Sequence, residues 1–419
     1  MKIVMLSGSY LPEINDVSRY TQLLKQKMTD IGHDVAFLTD FSSADQTLED
    51  NVFGTVSGWR NRDLIPLTQA ILHQRPDVLH IQHAPANYHF RRAIGWLPFL
   101  LRGFGGLMPI VSTLHEYGNR EWLPRGLSND LVRRWHRWGE ARYQWDRENY
   151  SLLAQSQIII STVDYTTRLL LSRFPEFESR LRQFRPAGNL KQYPASRASV
   201  RKKLQLQYGW PVNAIILTYL GGVKPESGLE TLLTAFAQAQ SRRPNLRLLI
   251  MGSNKSMGLS EIQTQKYWDK LQTKIKTFKL NNQVRFTQRI SDTLISGYLV
   301  ASDLGILPSD MGVNLTHQPL IDMFRHRLPV IVTQRHPNET QLERQLFAKV
   351  IKPLDIESLR QSIHQFSRSA IVRKKLGRLA QEFATQFSWE RLEKQHIQLY
   401  QEMGRLAANR FAQKQYASG

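Results

Sequence analysis

The amino-acid sequence predicts an α/β protein built from two doubly wound parallel sheets. Short apolar runs of strand length alternate with helical patterns, and this alternation passes through two successive parts of the chain. The segment 184–199 (FRPAGNLKQYPASRAS) separates the two parts, since it has two prolines, a glycine and little periodicity. The length of 419 residues and the 41% hydrophobic and 22% charged residues fit two to three globular domains rather than a disordered chain.

The first part begins with an apolar run at 3–6, which is too short for the core of a signal peptide and predicts a buried strand. Apolar residues at helical spacing then predict a helix over 17–31. The remaining strand-length runs lie at 35–38, 78–81, 110–114 and 158–161.

The second part repeats the same alternation and ends in helices. Strand-length runs lie at 214–220, 246–251, 284–287, 304–307, 330–332 and 348–351. Helical patterns lie at 228–240, 263–278, 293–301, 317–326, 355–366, 371–385 and 389–407. We therefore expect domains at 1–190 and 200–385, followed by a helical segment at 386–410.

Composition excludes several classes of protein. The absence of cysteine excludes disulfides, thiolate metal sites and a cysteine nucleophile. The net charge of +21 divides into +5 for residues 1–200 and +16 for residues 201–419, and such a surplus favours anionic partners. Nucleic acid is the least favoured of these, because no recognition motif accompanies the charge. The apolar stretch 93–110 contains an arginine, two prolines and four glycines, so we do not expect it to span a membrane.

Ligands of open parallel sheets bind at the carboxyl ends of the strands, so the residues that follow each strand are the candidates for a site. The run 220–228 (LGGVKPESG) is a strand end and a glycine turn that opens a helix. Free N–H groups at a helix start favour phosphate, and Lys224 would add a full charge. A plain turn between a strand and a helix has the same spacing, and the motif is neither GxxxxGK[ST] nor GxGxxG.

A second candidate loop, 308–317, also follows a strand and opens a helix. Backbone amides of Leu315 and Thr316 would face a phosphate, and Asp322 would accept a hydrogen bond from a ribose hydroxyl. A polar loop with an exposed aspartate is the alternative.

Histidines mark two strand ends in the first part, at 80–83 (HIQH) and 112–117 (STLHEY). A histidine in such a place can bond a sugar hydroxyl or a phosphate, shuttle a proton, or serve structure alone. Neither an HExxH motif nor an Asp-x-Asp motif is present, so no metal site is expected.

Cations mix with aromatic residues at 132–147, a combination that suits a membrane surface. Arg91 and Arg92, ahead of the apolar stretch 93–110, would join this surface. The alternative is a helix that packs its tryptophans inward and leaves its arginines in water.

Several segments together resemble the retaining glycosyltransferases of the GT-B fold, family GT4. The resemblance is carried, in chain order, by residues 2–40, 109–116, 219–233, 248–253, 301–309, 329–332 and 387–390. It implies two Rossmann-like domains facing across a cleft, the first binding the acceptor and the second the nucleotide sugar, with the last helix returning to the first domain. It further implies retention of the anomeric configuration, no metal and no cofactor, with a nucleotide-diphosphate sugar as co-substrate.

Carried over residue by residue, the resemblance assigns three groups of site residues. Those with catalytic roles are His115 and Asn314, and we add Lys224 to them as a candidate replacement for the family's cations. Those that bind the donor are Gly221, Gly222, Gly252, Ser253, Arg289, Ile290, Leu315, Thr316 and Asp322. Asn15 and Asp16 belong to the loop on the acceptor side.

This sequence departs from the family pattern where the family offsets the charge of the leaving diphosphate. Gly222 stands in place of an arginine and Ser227 in place of a lysine. Loss of one such stabiliser typically costs about 10²–10³ in rate. We expect Lys224 to substitute for the missing cations, with Arg289 or Arg327 as further candidates.

Asn314 and Asp322 stand in place of the family's two glutamates in the donor loop, so the amide keeps hydrogen-bonding capacity and the aspartate has a shorter reach. The leading hypothesis is a hexosyltransferase-like enzyme. We expect it in the cytoplasm, peripheral on the inner face of the membrane, with a glycan or lipid-linked acceptor and an anionic membrane surface as partners. The alternative is a catalytically impaired GT-B protein that acts as a binding or regulatory partner.

Overall fold

The computed structural model describes residues 1–10, 16–117, 128–141, 150–162, 164–191, 193–252, 261–287, 290–315, 317–334 and 342–417. The chain forms two compact units. Unit 1 comprises Met1–Pro186 and Trp389–Gly419, and unit 2 comprises Ala187–Ser388.

Within the described residues, unit 1 contains a seven-stranded parallel sheet in the order β3-β2-β1-β4-β5-β6-β7. Its strands are β1 Lys2–Ser7, β2 Asp34–Asp40, β3 Val52–Val56, β4 Val78–His83, β5 Ile110–Leu114, β6 Ile158–Ser161 and β7 Leu181–Gln183. Its helices are α1 Asp16–Asp30, α2 Phe41–Ala44, α3 Leu64–Gln74, α4 Leu97–Gly103, α5 Asn129–Ala141, α6 Tyr150–Gln155 and α7 Asp164–Arg173. The chain returns to this unit with α15, Trp389–Ala417.

Unit 2 contains, in its described part, a six-stranded parallel sheet in the order β10-β9-β8-β11-β12-β13. Its strands are β8 Ile215–Leu220, β9 Leu246–Met251, β10 Val284–Phe286, β11 Leu304–Leu307, β12 Val330–Thr333 and β13 Ala348–Ile351. Its helices are α8 Arg197–Tyr208, α9 Leu229–Arg242, α10 Glu261–Thr277, α11 Asp292–Ala301, α12 Gln318–Arg325, α13 Ile356–Ser367 and α14 Ala370–Ala384.

The two sheets confirm the predicted α/β class, and burial explains why the sequence revealed it. The central strands β1, β5, β11 and β12 are buried almost throughout, as expected when helices cover both faces of a parallel sheet. Such strands read as continuous apolar runs. Strands β3 and β7, the two edge strands of the unit 1 sheet, are absent from the sequence prediction because their apolar runs are weak. A glycine interrupts β3, and β7 has only three residues, all partly buried.

The C-terminal helix α15 packs against α1 and β4 within unit 1. An ion pair joins Lys27 of α1 to Glu393 of α15, with 2.7 Å between Nζ and Oε2. The segment 389–417 is therefore built into the first unit by polar contacts as well as by its apolar face.

Across the part of the chain that the structure describes, no helix is long and apolar enough to cross a membrane. The apolar stretch 93–110 instead forms a short 3₁₀ helix, Ala93–Trp96, and the two-turn helix α4.

Candidate functional site

The turns that follow β8 and β9 come into backbone contact at the carboxyl edge of the unit 2 sheet. The Gly221 N–H donates to the Met251 carbonyl at 3.0 Å. A Cβ atom on Gly252 would lie 2.0 Å from the Gly221 carbonyl oxygen, so only glycine allows this approach. The result is an edge of bare backbone, which a ligand can approach closely.

The turn after β8 is also joined to the loop after β11. Gly228 has a left-handed backbone (φ 71°), and a Cβ there would lie 1.8 Å from the Pro308 carbonyl oxygen. The Asp310 N–H donates to the Glu226 carbonyl at 2.9 Å. The two motifs singled out from the sequence, 220–228 and 308–317, therefore lie side by side.

Lys224 is held by its backbone while its side chain remains exposed. Its carbonyl accepts from both the backbone N–H and the hydroxyl of Ser227, at 2.9 and 2.5 Å. The salt bridges within the described residues do not include Lys224. A fixed backbone with an exposed ammonium suits a group that binds an anion from solution.

The two positions where the resemblance expects cations are physically different. Gly222 is exposed, and no atom lies within 4 Å of where its Cβ would be. Its carbonyl accepts from the buried Tyr219 hydroxyl at 2.8 Å, and burial raises the pKa of Tyr219 above its usual range. Ser227 is 5% exposed and bonds inward. A cation therefore fits at position 222 but not, without rearrangement, at position 227.

The candidate loop that follows β11 is pinned to the neighbouring strand β12. The Thr333 hydroxyl donates to the Ser309 carbonyl at 2.5 Å, and the Val313 N–H donates to the Thr333 carbonyl at 2.8 Å. Beyond this anchor Asn314 is exposed, whereas Leu315 packs against the core of unit 2. The loop thus presents a polar side chain at its tip on a rigid base.

Asp322 lies one turn into α12 and is 4% exposed. Its Oδ1 accepts from the Leu190 N–H at 3.1 Å. The Arg325 guanidinium supports the same segment by donating to the carbonyls of Gly188 and Leu190, at 2.7 and 3.1 Å. The Asp322 carboxylate thus helps to hold the 188–190 segment against α12.

The other residues that the sequence predicts at the donor site have few described contacts. Ile290 is partly buried against the core. Ser253, Arg289 and Thr316 lie outside the described residues. Arg327, a candidate replacement cation, donates from Nε to Gln381 Oε1 at 2.6 Å.

On the acceptor side, Asn15 likewise lies outside the described residues. Asp16 begins α1, but its side chain is not described.

In unit 1, the predicted histidines do lie together at the ends of β4 and β5. The backbone N–H of His115 donates to the backbone carbonyl of His83 at 3.0 Å. In the His115 ring, Nε2 lies 2.8 Å from Gln82 Oε1. Burial lowers the pKa of His115 to about 3 and that of His83 to about 4. Both imidazoles are neutral near pH 7, so they suit a hydroxyl group better than they suit a phosphate.

Sequence reasoning missed four residues that surround these histidines. Tyr20, Gln82, His396 and Tyr400 are fully or almost fully buried next to His80 and His115. The spacing offered a signal: His80 and Gln82 are two apart on a strand, and His396 and Tyr400 are four apart on a helix. Each pair therefore shares a face, but the sequence does not reveal that the two faces meet.

An exposed aromatic surface lies at the start and end of α4. Trp96, Phe99 and Phe104 are 59%, 43% and 53% exposed, and the rings of Trp96 and Phe99 are 5.8 Å apart. Arg91 and Arg102 in the same segment are exposed as well. Large apolar groups beside cations are typical of a surface that meets a membrane interface.

Helix α5 exposes its tryptophans rather than burying them. Trp135 and Trp138 are 49% and 44% exposed, whereas Val132 and His136 are buried. The alternative in which the tryptophans pack inward is therefore wrong. The predicted continuation at 142–147 lies outside the described residues.

Comparison with known proteins identifies part of the chain at the level of a family. Residues 200–383 match the family model described as Glycosyl transferases group 1. This range contains both loops of the unit 2 site. No curated protein matches the sequence significantly.

Solved structures resemble almost the whole chain. A glycosyltransferase from Rickettsia africae matches with a TM-score of 0.71 at 15% identity, over 96% of this chain and 98% of that one. Sucrose-phosphate synthase from Thermosynechococcus elongatus matches with a TM-score of 0.70 at 18% identity, over 96% and 99%. The Anabaena protein HepE, in complex with UDP and glucose, matches with a TM-score of 0.66 at 16% identity, over 96% and 100%. At these identities the likeness concerns the fold, and it confirms the predicted GT-B class.

Proposed function

We propose that the chain is a glycosyltransferase that transfers a sugar from a nucleotide-diphosphate donor to a hydroxyl acceptor, with the group 1 match at residues 200–383 as support. We further propose that the anomeric configuration is retained and that no metal ion takes part. The observation that carries this proposal is the contact between the 221–228 turn and the 308–311 loop, inside the matched domain.

The chemistry requires a site that accepts negative charge. As the bond between the anomeric carbon and the phosphate oxygen breaks, charge builds on the leaving diphosphate. The acceptor hydroxyl forms the new bond to the anomeric carbon, and its proton goes to the departing diphosphate. We assign charge stabilisation to Lys224 and to the backbone amides of Leu315 and Thr316, which precede α12 in the sequence.

The remaining roles follow from what each residue offers. Asn314 and His115 are assigned to sugar hydroxyls and Asp322 to the ribose. Gly252, Ser253, Arg289 and Ile290 are assigned to the base. Asn15 and Asp16 are assigned to the acceptor side. A nucleoside diphosphate is the chemical class that the bare glycine edge and the exposed lysine recognise together.

Turnover with a panel of nucleotide sugars tests the proposal. Pure protein is incubated with UDP-, ADP-, GDP- and TDP-sugars, and released nucleotide is measured with and without candidate acceptors. We expect release from one donor, and a fall of about 10²–10³ in kcat for Lys224→Ala. Lys202→Ala, which alters an exposed lysine on α8, is the matched control and should keep wild-type rates. The absence of both turnover and binding with every donor of the panel would contradict the proposal.

We also propose that the acceptor lies at an anionic membrane on its cytoplasmic side. The support is the exposed aromatic surface of Trp96, Phe99 and Phe104, together with the arginine-rich helix α5. Aromatic rings settle at the headgroup level, and arginines attract anionic lipid. An enzyme held there would meet lipid-linked or membrane-borne glycan acceptors.

Sedimentation with liposomes tests the membrane proposal. We expect pelleting with vesicles that contain anionic lipid and much less with neutral vesicles. A triple variant, Trp96→Ser with Phe99→Ser and Phe104→Ser, should stay in the supernatant. Phe41→Ser, at a 50% exposed aromatic elsewhere in unit 1, should pellet like the wild type. Equal behaviour of the triple variant and its control would contradict the assigned surface.

The impaired-enzyme alternative rests on Gly222 and Ser227. It predicts nucleotide-sugar binding without release of nucleotide, in the presence of any acceptor. Calorimetric binding measured beside the turnover panel separates the two functions.

A further inference from the structure

We propose that the C-terminal helix α15 positions His115 through a buried chain of hydrogen bonds that fixes its tautomer. In this tautomer Nε2 carries the hydrogen and Nδ1 keeps the lone pair. Tyr400, His80 and Gln82 are the positioning residues.

The chain of hydrogen bonds runs from helix α15 through strand β4 to the end of β5. Tyr400 Oη lies 2.6 Å from His80 Nδ1. His80 Nε2 lies 3.2 Å from Gln82 Nε2 and 2.8 Å from the Thr113 hydroxyl. Gln82 Oε1 lies 2.8 Å from His115 Nε2. Tyr400, His80, Gln82 and Thr113 are all fully buried, so water does not compete for these bonds.

The Gln82 amide transmits the arrangement, because its nitrogen only donates and its oxygen only accepts. The nitrogen faces His80 Nε2, which must therefore be the acceptor of that ring. His80 then carries its hydrogen on Nδ1 and donates it to Tyr400. At the other end, the amide oxygen requires a donor, so His115 carries its hydrogen on Nε2.

Tautomers are decisive only if the rings are neutral, and their surroundings keep them neutral. Burial lowers the pKa of His115 to about 3 and puts the pKa of His80 well below its usual value. Burial also raises the pKa of the Tyr400 hydroxyl, which stays protonated. None of these hydrogen-bonded residues carries a charge near pH 7.

A second contact from the same helix steadies the His115 ring. His396 Nδ1 lies 2.9 Å from the Leu392 carbonyl, which can only accept, so His396 Nε2 is left to accept from the Tyr20 hydroxyl at 3.4 Å. The Tyr20 ring meets the His115 ring edge-on, with 5.1 Å between centroids. His396 and Tyr400 are one helical turn apart, so a single face of α15 supports His115 by two routes.

The fixed tautomer limits what His115 can recognise. An Nδ1 lone pair accepts a hydrogen from a hydroxyl and offers nothing to a phosphate oxygen. This consequence rests on the proposed function, since it assigns His115 to a sugar hydroxyl. The tautomer itself does not depend on any substrate.

Nitrogen-15 NMR of the full chain, labelled at histidine and free of ligand, tests the tautomer directly, with His115→Gln identifying the His115 signals. We expect a protonated Nε2 and an unprotonated Nδ1 for His115, and the reverse for His80. Tyr400→Phe removes the acceptor of the His80 N–H, so the His80 and His115 signals should shift toward a mixture of tautomers. Tyr165→Phe, at an exposed tyrosine on α7, should leave them unchanged.

Gln82→Glu provides a second variant with a different signature. A carboxylate accepts at both ends, so His115 should keep its Nε2 hydrogen while His80 changes to the Nε2–H tautomer. A wild-type His115 protonated on Nδ1 would overturn the proposal. So would unchanged His80 and His115 signals in both Tyr400→Phe and Gln82→Glu.

Kinetics with the active donor add a functional readout. Tyr400→Phe should lower kcat by about tenfold with little change in the KM of the donor, while Tyr165→Phe changes neither. Failure of the donor panel would remove this readout but would leave the NMR result standing, so the two proposals fail separately.

Discussion

The carboxyl ends of the strands carry opposite chemistry in the two units. In unit 1 they hold neutral histidines, among them His80, which is bonded to Thr113 and Tyr400, and His115, which is bonded to Gln82. In unit 2 they hold glycine backbone and an exposed lysine. The first arrangement suits uncharged hydroxyls, because its donors and acceptors are fixed, and the second suits an anion, because it offers charge and bare amides.

The same difference explains how each region tolerates change. A buried polar network works only when every member is satisfied, so its parts are tightly coupled. An exposed cation acts through charge and can be moved or replaced nearby. The charge of the sequence follows this division, with +5 before residue 200 and +16 after it.

The largest expected effect comes from separating the two joined loops of unit 2. Gly228→Ala places a methyl group against the Pro308 carbonyl and would displace the 308–311 loop from the 221–228 turn. A misplacement of about 1 Å in a site can cost about 10²-fold, and we expect at least that loss in kcat/KM.

Gly209→Ala is the matched control for this variant. It has a similar left-handed backbone (φ 63°) at the end of α8, with no atom near its Cβ. It should lose some stability but keep kcat/KM. Equal activity of Gly228→Ala and wild type would show that the joined loops do not form the donor site.

A second test addresses the buried side of the comparison through pH. Burial lowers the pKa of His396 to about 4 from an ordinary 6.5. Below about pH 6.5 the unfolded chain binds the proton first. The free energy of unfolding therefore decreases as the pH is lowered from about 6.5, and it levels off near pH 4. At pH 5 this histidine alone should cost about 2 kcal/mol.

Urea unfolding at pH 8 and pH 5 measures this loss. His396→Gln should reduce the difference between the two pH values by that amount. His73→Gln, at an exposed histidine of α3, should not. A difference that is the same in wild type and His396→Gln would contradict a neutral buried His396.

The smallest expected effect is a rise in kcat when a cation is added to the exposed turn of unit 2. Gly222→Arg adds a cation at an open position of the same turn as Lys224, and we expect kcat to rise about tenfold, part of the usual worth of one charge stabiliser. Gly222→Gln has a long polar side chain without charge and serves as the control. An equal response of the two variants would mean that charge at this turn does not limit the rate.

The sequence was sufficient for the central strands and for the placement of the loops. Strands β9, β11 and β13 match the predicted runs residue for residue. The match is simplest in β11, because all four of its residues are buried and none is polar. The short edge strands β3 and β7 lack that signal.

What the sequence could not predict depends on contacts between distant parts of the chain. Asp322 of α12 accepts a hydrogen bond from Leu190, 132 residues away, and is 4% exposed, so the alternative of an exposed loop aspartate is wrong. His80 meets Tyr400 across 320 residues. Local patterns identify the residue types that can make such bonds, but not which of them meet.

Binding of nucleoside diphosphates by calorimetry tests the central claim most directly. Wild type and Lys224→Met are titrated with UDP, ADP, GDP and TDP and with the corresponding nucleosides. The account predicts that the wild type binds one diphosphate, and that Lys224→Met binds it at least tenfold more weakly while its affinity for the nucleoside stays the same. Equal affinity of the two proteins for that diphosphate, or no binding of any diphosphate by the wild type, would contradict it.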